Sequence, residues 1–194
     1  MMSIYTETEL QDIGFAHCGR DVRISRKASI YNPGNITIGS HVRIDDFCVL
    51  SAGDGGIEIC SYVHIAVYCS LIGAGNIKLE EFSGLSSRVT IYSSNDDYSG
   101  EFLTNPTVSK QFTNVSHKGV HIGRHVIVGS GSVILPGVEL EQGVAIGALS
   151  LVQNRCEEFW IYQGVPARRI KERKRDLLAL EVQFLHHMNS ESKP

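Results

Sequence analysis

Aliphatic residues recur at every sixth position along most of the chain, and this spacing predicts the fold. In the stretch 120–152 the aliphatic series at steps of six is Ile122, Val128, Ile134, Leu140, Ile146 and Val152. A second register lies two residues earlier, and residues two apart point the same way from an extended strand. Each unit therefore buries two side chains and then turns a corner, which predicts a solenoid of short parallel strands.

The same register begins at Ile24 and is grouped in threes. The inward positions before the stretch above are Ile24, Ile30, Ile38, Ile44, Leu50, Ile59, Ile65, Leu71, Leu79, Leu85 and Ile91. Between groups the step lengthens, because short inserts rich in Gly, Asn and Pro bulge from one corner, as turns require. Three units thus form one triangular coil. We expect a prism with an aliphatic interior, in which Cys48 and Cys69 are buried thiols of neighbouring coils.

The repeat is interrupted once, between Ile91 and Ile122. The segment 92–119 is too long for a corner, so it predicts a loop that leaves the prism midway. Long loops in compact domains are usually functional or disordered. The aromatic residues of this loop, such as Tyr98 and Phe112, need something to pack on, and we expect them to be ordered against another subunit.

The two ends predict helices. Thr6 and Glu9 have the spacing of a capping box, which predicts a short N-terminal helix that covers the first coil. Apolar residues at helical spacing predict a C-terminal helix from about Ala167 to Met188. The expected division is residues 1–20 as a helical cap, 21–160 as the β-helix with its loop, and 161–194 as a turn and helix.

Composition and charge narrow the function classes. The chain has 194 residues, of which 42% are hydrophobic, and a net charge of −3. These values predict one domain with a core and give no bulk attraction to nucleic acid or anionic lipid. No apolar run approaches membrane-spanning length, the polar start is unlike a signal peptide, and the five cysteines lack metal-ligand spacing. We therefore expect a cytoplasmic protein with no membrane insertion, no nucleic-acid partner and no metal.

Three motifs carry a family resemblance: GSGSVILPGV at 129–138, GALSLV at 147–152 and GVPARRI at 164–170. With the hexapeptide repeats and the mid-prism loop, they make the chain resemble the left-handed parallel β-helix acyltransferases, most of all the coenzyme-A-dependent sugar acetyltransferases of the galactoside, maltose and surface-polysaccharide type. The resemblance implies left-handed coils and a homotrimer with active sites between subunits. It also implies acetyl transfer from acetyl-CoA to a hydroxyl or amino group of a sugar or nucleotide-linked sugar, in the synthesis of surface polysaccharide such as O-antigen.

The resemblance implies contacts with coenzyme A at four positions of these motifs: Ser130, Ala148, Arg168 and Lys171. The glycine before each of the two small residues would let a pantetheine chain approach the backbone closely, although corner geometry alone explains such residues equally well. The two cations would hold the phosphates of coenzyme A, with a solvated helix face as the alternative. Arg169 is expected to be solvated.

Acyl transfer needs a base for the acceptor group. In the galactoside-type enzymes a histidine lies early in the loop, whereas this sequence has Asn95, Asp96 and Asp97 there. We predict His117 as the general base, with Asp96 or Asp97 orienting it or holding the sugar. An ordinary loop histidine and turn-capping acids are the alternatives. The residues predicted to bind the sugar are Asn95, Asp97, Tyr98 and Glu101.

Other histidines allow a different reading. His64 faces outward and is a reserve candidate for the base, while His121 and His125 are expected at outward strand positions on the surface. His117, His121 and His125, with His64, form a candidate zinc set of the kind found in γ-class carbonic anhydrases, but their spacing of four does not match the six-residue period. A non-catalytic scaffold is the third hypothesis.

Overall fold

The computed structural model describes residues 4–191. It is a triangular prism of stacked coils, which confirms the expected left-handed parallel β-helix. Three sheets form the walls, and each gains one parallel strand per coil because successive coils pair through their backbones. The last strand, Arg168–Glu172, is the exception and is antiparallel.

From Arg23–Ile24 to Leu151–Val152 the strands of the three walls follow the predicted register. Sheet 1 contains His17–Cys18, Ile36–Ile38, Ile57–Ile59, Ile77–Leu79, Val120–Ile122 and Glu139–Leu140. Sheet 2 contains Arg23–Ile24, Arg43–Ile44, His64–Ile65, Gly84–Leu85, Ile127–Val128, Ala145–Ile146, Trp160–Gln163 and Arg168–Glu172. Sheet 3 contains Ser29–Tyr31, Val49–Ala52, Ser70–Gly73, Thr90–Tyr92, Val133–Ile134 and Leu151–Val152. Short 3-10 helices occupy Pro33–Asn35 and Lys110–Phe112.

The solenoid is longer at both ends than the aliphatic count indicates. His17–Cys18 pairs with the strand that ends at Ile38 and completes the first coil. Trp160–Gln163 adds a strand of a seventh coil to sheet 2, where the inward residue is Tyr162 instead of an aliphatic one. Neither end carries an aliphatic residue at each inward position, so the six-residue pattern does not extend to them.

The interior of the prism is formed by the two predicted registers. Inward residues such as Ile24, Leu50 and Ile91 have no exposed surface. The thiols of Cys48 and Cys69 are also buried and free, as expected. Each donates to a backbone carbonyl of the next coil, which satisfies the only polar group of the side chain.

One corner of the prism carries a ladder of stacked rings, formed by His41, Tyr62, Phe82 and His125. Neighbouring ring centroids are 4.7, 4.9 and 5.2 Å apart. All four residues have φ near +60°, because they turn the same corner in successive coils. The prediction that His125 occupies an outward strand position is wrong, since it is a corner residue with 9% of its surface exposed.

The helix at Leu177–Glu191 packs back on this ladder. Phe184 meets Tyr62 and Phe82 edge to face, and the Glu181 carboxylate accepts from Arg124 and His125. These contacts fasten the C-terminal segment to the middle of the prism.

The prediction that this helix begins near Ala167 is wrong. Arg168–Glu172 is a strand that pairs antiparallel with Trp160–Gln163. Gly164, with φ of +107°, reverses the chain between them. The second strand of this hairpin pairs with the backbone N–H and C=O groups at the edge of sheet 2 before the helix begins. We call Trp160–Glu172 the C-terminal hairpin.

The N-terminal helix spans Glu7–Asp12 and confirms the predicted capping box. The Thr6 hydroxyl accepts from the Glu9 N–H, and the Glu9 carboxylate accepts from the Thr6 N–H at 2.8 Å. No helix within residues 4–191 is long and apolar enough to cross a membrane.

Gly129 at a corner and Gly84 within a strand have different surroundings, and this difference gives a stability prediction. A Cβ at Gly129 would lie 2.5 Å from the Ala148 backbone nitrogen, whereas a Cβ at Gly84 would meet nothing closer than 4.0 Å. We expect Gly129→Ala to lower the free energy of unfolding by about 1–3 kcal/mol through overpacking. Gly84→Ala should stay within about 1 kcal/mol of wild type.

Urea unfolding followed by circular dichroism measures both changes. Equal stability of the two variants would contradict the packing argument.

Candidate active site

The long loop is an arm with a two-stranded stem. Ser94–Asn95 pairs antiparallel with Ser116–His117, directly after the chain leaves sheet 3 and before it re-enters sheet 1. Within the part of the chain that the structure describes, every hydrogen bond found for residues 96–115 stays inside the loop. The arm therefore keeps its shape through its own contacts and leaves its outer side chains exposed.

The arm folds around a cleft of about 460 Å³. The cleft contains one predicted pair, Asp96 and His117, together with residues that the sequence analysis did not single out. Its lining residues are Asp96, Asn105, Pro106, Val108, Lys110, Thr113, Val115 and His117. The additional residues come together only because the loop closes on itself, and their spacing along the chain carries no signal of this.

The ring of His117 is held from the prism side. Its Nδ1 lies 2.7 Å from the Ser94 hydroxyl, and that hydroxyl also accepts from the Ala74 N–H at 2.7 Å. Ser94 is thus anchored to a neighbouring coil. Among the described residues Nε2 has no hydrogen-bond partner, so it is the ring nitrogen open to a ligand.

The acids beside His117 have different environments. The Asp97 carboxylate accepts from the Ser99 N–H and hydroxyl and from the Asn114 amide. These hydrogen bonds lower the pKa of Asp97 below its usual range, led by the one from the Ser99 hydroxyl. They match the turn-capping alternative for Asp97. Asp96 lines the cleft, and its carboxylate has no such hydrogen bonds among residues 4–191.

The remaining predicted sugar-binding residues lie on the arm but do not line the cleft. Asn95 is in the stem, Glu101 is exposed, and the Tyr98 side chain is 87% exposed. Their roles stay predictions, and they require a surface other than the cleft walls to meet a substrate.

A second depression, which we call the sheet 2 groove, has a volume of about 310 Å³. It lies on the outer face of sheet 2, beside the corner that leads to sheet 3. Its lining residues are His64, Ala66, Gly84, Leu85, Ser86, Ser87, Ile127 and Ser130. Gly84 pairs with His64 on one side and Ile127 on the other, so the groove opens where a side chain is missing from the outer face.

The side chains of His64, Asp45 and Arg43 are joined by hydrogen bonds. His64 Nε2 is 2.8 Å from Asp45 Oδ2, and Arg43 Nε is 2.7 Å from Asp45 Oδ1. Partial burial by itself would raise the pKa of Asp45, but the hydrogen bonds from His64 and Arg43 bring it below its usual range. Asp45 is therefore an ionised, mostly covered partner for the imidazole.

Ser130 and Ala148 both lie exposed at the corner between sheets 2 and 3. Ser130 lines the sheet 2 groove, as a cofactor contact requires. The glycines before them serve coil stacking: a Cβ at Gly129 would meet the Ala148 nitrogen at 2.5 Å, and one at Gly147 would meet Gln163 Cγ at 2.8 Å. Corner geometry thus explains the two glycines without a ligand.

Arg168 and Lys171 lie exposed on a strand of the C-terminal hairpin, not on a helix. In the part of the chain with described coordinates, neither side chain has an ion pair. Arg169 is exposed, in line with the expectation of a solvated side chain, and it also pairs with Glu157, while its guanidinium lies 4.2 Å from the centre of the Trp160 ring. Arg155, Arg168 and Arg169 together border a small depression of about 170 Å³ at this end of the prism.

The four histidines of the zinc hypothesis are not brought together. Beyond the partners already given for His64 and His117, His121 binds Glu80 at 3.0 Å and His125 binds Glu181 at 2.6 Å. Among residues 4–191 no group of three or more His, Cys, Asp or Glu side chains is placed to hold a metal ion. His121 lies on the outer face of sheet 1, as expected.

Comparison with known proteins places the chain among enzymes. No family model matches it. It is 51% identical, over 94% of its length and 95% of the relative's, to a dTDP-4-amino-4,6-dideoxy-D-glucose acyltransferase of Escherichia coli. It is 48% identical to AntD, an N-acyltransferase from Bacillus cereus solved with dTDP and 3-hydroxybutyryl-CoA, with a TM-score of 0.92 and coverage of 97% and 100%. It is 27% identical, over 77% of its length and 74% of the relative's, to a putative lipopolysaccharide biosynthesis O-acetyl transferase of Escherichia coli K12.

The left-handed prism and these similarities together make the chain a hexapeptide-repeat acyltransferase. The chain belongs to the family of coenzyme-A-dependent sugar acyltransferases that includes the dTDP-amino-sugar acyltransferase of Escherichia coli. The expectation of an acyltransferase is thereby confirmed, and the zinc hydratase and scaffold hypotheses are not favoured.

Proposed function

We propose that this enzyme transfers an acyl group, acetyl in the first instance, from a coenzyme A thioester to the amino group of dTDP-4-amino-4,6-dideoxyglucose. The observation that carries the proposal is 51% identity over almost the full length of both chains to an acyltransferase of that sugar nucleotide. An amine acceptor also agrees with the departure of this loop from the galactoside-type pattern, in which the early histidine is replaced by Asn95, Asp96 and Asp97.

The cleft of the arm fits a positively charged amine beside a negatively charged diphosphate. The Asp96 carboxylate attracts an ammonium group, and Lys110, on the same cleft, attracts phosphate oxygens. His117 Nε2 then accepts the proton that the ammonium must lose before it can attack a thioester. An amine is nucleophilic once neutral, so this step demands less of the base than the ionisation of a hydroxyl.

Coenzyme A would approach along the other side of the prism. The thioester end fits the sheet 2 groove beside Ser130, with Ala148 next along the corner, and the phosphates fit the exposed cations Arg168 and Lys171 of the C-terminal hairpin. The order of these features along the prism matches a long, flexible ligand with its charge at one end.

A homotrimer completes the site in this proposal. The arm leaves the prism between sheets 3 and 1, whereas the groove lies on sheet 2, so one chain presents its two half-sites on different edges. The arm also exposes Tyr98, Phe102, Leu103 and Phe112, a set of apolar side chains suited to covering a neighbouring copy. The cleft of one subunit then faces the groove of the next.

The same substrates suggest the biological setting. Nucleotide-linked sugars and acyl-CoA are made in the cytoplasm, and acylated amino sugars of this type are building blocks of surface polysaccharide. The similarity to a putative lipopolysaccharide O-acetyl transferase supports this setting.

An activity screen tests the proposed function. Purified enzyme is incubated with acetyl-CoA or 3-hydroxybutyryl-CoA and a panel of dTDP- and UDP-linked amino sugars, with matched sugars that carry a hydroxyl in place of the amine. We expect thiol release and an N-acylated product, detected by mass spectrometry, with dTDP-4-amino-4,6-dideoxyglucose at the highest kcat/KM. Preference for a hydroxyl acceptor or a different nucleotide would contradict the proposal.

The role of His117 predicts the effect of its removal. His117→Ala should lower kcat by about 10²-fold, the low end for a general base because the acceptor is an amine, while the KM for acyl-CoA changes little. Steady-state kinetics measures both constants. His121→Ala removes an exposed histidine from another face and serves as the control. An unchanged kcat in His117→Ala would remove that residue from the mechanism.

The role of Arg168 predicts an effect on the cofactor alone. Arg168→Ala should raise the KM for acetyl-CoA roughly tenfold or more, the scale of a lost charge-assisted hydrogen bond, with kcat nearly unchanged. Arg26→Ala, which removes a cation paired with Glu9 at the opposite end of the prism, is the matched control. Equal KM values for the two variants would exclude Arg168 from the coenzyme A site.

A further inference from the structure

We propose that His64, in the sheet 2 groove, is a catalytic residue that carries a proton from the attacking nitrogen to the sulfur of the departing coenzyme A, and that Asp45 is its positioning residue. The inference rests on the proposed function, because it places the thioester in this groove. It assigns a step that the cleft of the arm does not perform.

The first observation is that the groove is open without a structural need. Gly84 lies within a strand, where glycine weakens the sheet, and its φ is not in the left-handed region. A Cβ at this position would have no atom nearer than His64 O at 4.0 Å. Backbone conformation and coil stacking therefore both allow a larger residue. The missing side chain leaves the space beside His64 free for a ligand.

The second observation is the orientation of the imidazole. The Asp45 carboxylate accepts from His64 Nε2 at 2.8 Å and is itself held by Arg43 at 2.7 Å. This arrangement keeps the proton on Nε2 and leaves Nδ1 to exchange a proton with a ligand. Asp45 is only 16% exposed, whereas His64 is 51% exposed, so the anchored end of the dyad is covered and the reactive end is open.

The third observation is that the groove also offers hydroxyl groups. Ser86, Ser87 and Ser130 line it together with His64. Their hydroxyl groups are donors for the oxygen of a thioester carbonyl as negative charge develops on it. A donor set and a proton carrier in one depression are the two requirements of thioester aminolysis.

The step balances as follows. The neutral amine forms a bond to the carbonyl carbon, and the resulting tetrahedral adduct carries a positive nitrogen and a negative oxygen. His64 Nδ1 takes one proton from that nitrogen. As the carbon–sulfur bond breaks, the electron pair leaves with sulfur, and the same proton passes from Nδ1 to the thiolate. The products are the amide and free coenzyme A, and the imidazole is again neutral.

A matched pair of variants separates this role from that of a surface ion pair. His64→Gln removes the proton carrier from the groove. His121→Gln removes a histidine that is paired with a carboxylate in the same way, at 3.0 Å from Glu80, but on the outer face of sheet 1. We expect His64→Gln to lower kcat by about 10²–10⁴-fold with a KM for acyl-CoA within a few-fold of wild type, and His121→Gln to retain wild-type kinetics.

A change of acyl donor tests whether His64 delivers the proton to the leaving sulfur. An acetyl thioester of 4-nitrothiophenol has an acidic leaving thiol that needs no proton, so the deficit of His64→Gln relative to wild type should shrink at least tenfold with this donor. Asp45→Asn should show a smaller loss of kcat and the same partial recovery, which a purely structural role would not produce. Equal deficits with both donors, or wild-type kcat in His64→Gln, would overturn the proposal.

Hydroxylamine as acceptor separates this inference from the proposed function. If the wild type forms acetohydroxamate from acetyl-CoA but does not acylate dTDP-4-amino-4,6-dideoxyglucose, the substrate assignment fails and the His64 comparison is still made with hydroxylamine. If His64→Gln does not fold, Gly84→Val replaces it, since a Cβ at that position meets no atom closer than 4.0 Å and the added side chain fills the groove. A tenfold or greater rise in the KM for acyl-CoA with an unchanged melting temperature supports the groove as the thioester site, and an unchanged KM overturns it.

Discussion

The constraint on which this structure depends is the close stacking of one coil on the next. Parallel strands pair about 4.8 Å apart, so every inward position must hold a side chain that fits under and over its equivalents in neighbouring coils. Branched aliphatic residues such as Ile44, Ile65 and Leu85 meet this requirement along sheet 2. The same stacking explains Gly129 at a corner, where a Cβ would lie 2.5 Å from the backbone nitrogen of Ala148 in the next coil.

Because the interior is specified so tightly, the outer positions are free to differ from coil to coil. Along the outer face of sheet 2 the residues change from Arg43 to His64, Gly84 and Ile127. In this order the outer face carries the charged or polar side chains of Arg43 and His64, then the space left by Gly84, and then the apolar side chain of Ile127. The solenoid thus acts as a rigid frame on which a groove arises from a local change of side chain, without any change in the backbone path.

The arm follows the opposite principle, since its shape comes from its own polar contacts. Ser94 connects it to the prism by binding both the Ala74 backbone and the His117 ring. Asp97 fixes the first turn of the arm through Ser99 and Asn114. A self-supporting arm with apolar side chains on its outside is suited to reaching a neighbouring subunit, where a prism face supplies the other half of the site.

The sequence by itself determined the solenoid, its register, the place of the arm and the N-terminal cap, because aliphatic periodicity and capping are local patterns. Only the tertiary structure decided the C-terminal hairpin, since the segment Arg168–Glu172 pairs with a strand at the open edge of sheet 2 instead of continuing a helix. It likewise decided that His125 is buried in a ring ladder, that Asp97 caps a turn, and that Asp45 lies beside His64. The ring ladder and the Asp45–His64 pair join residues from different coils, which only the stacked backbone brings together. The contact of Asp97 with Asn114 forms only once the arm has folded.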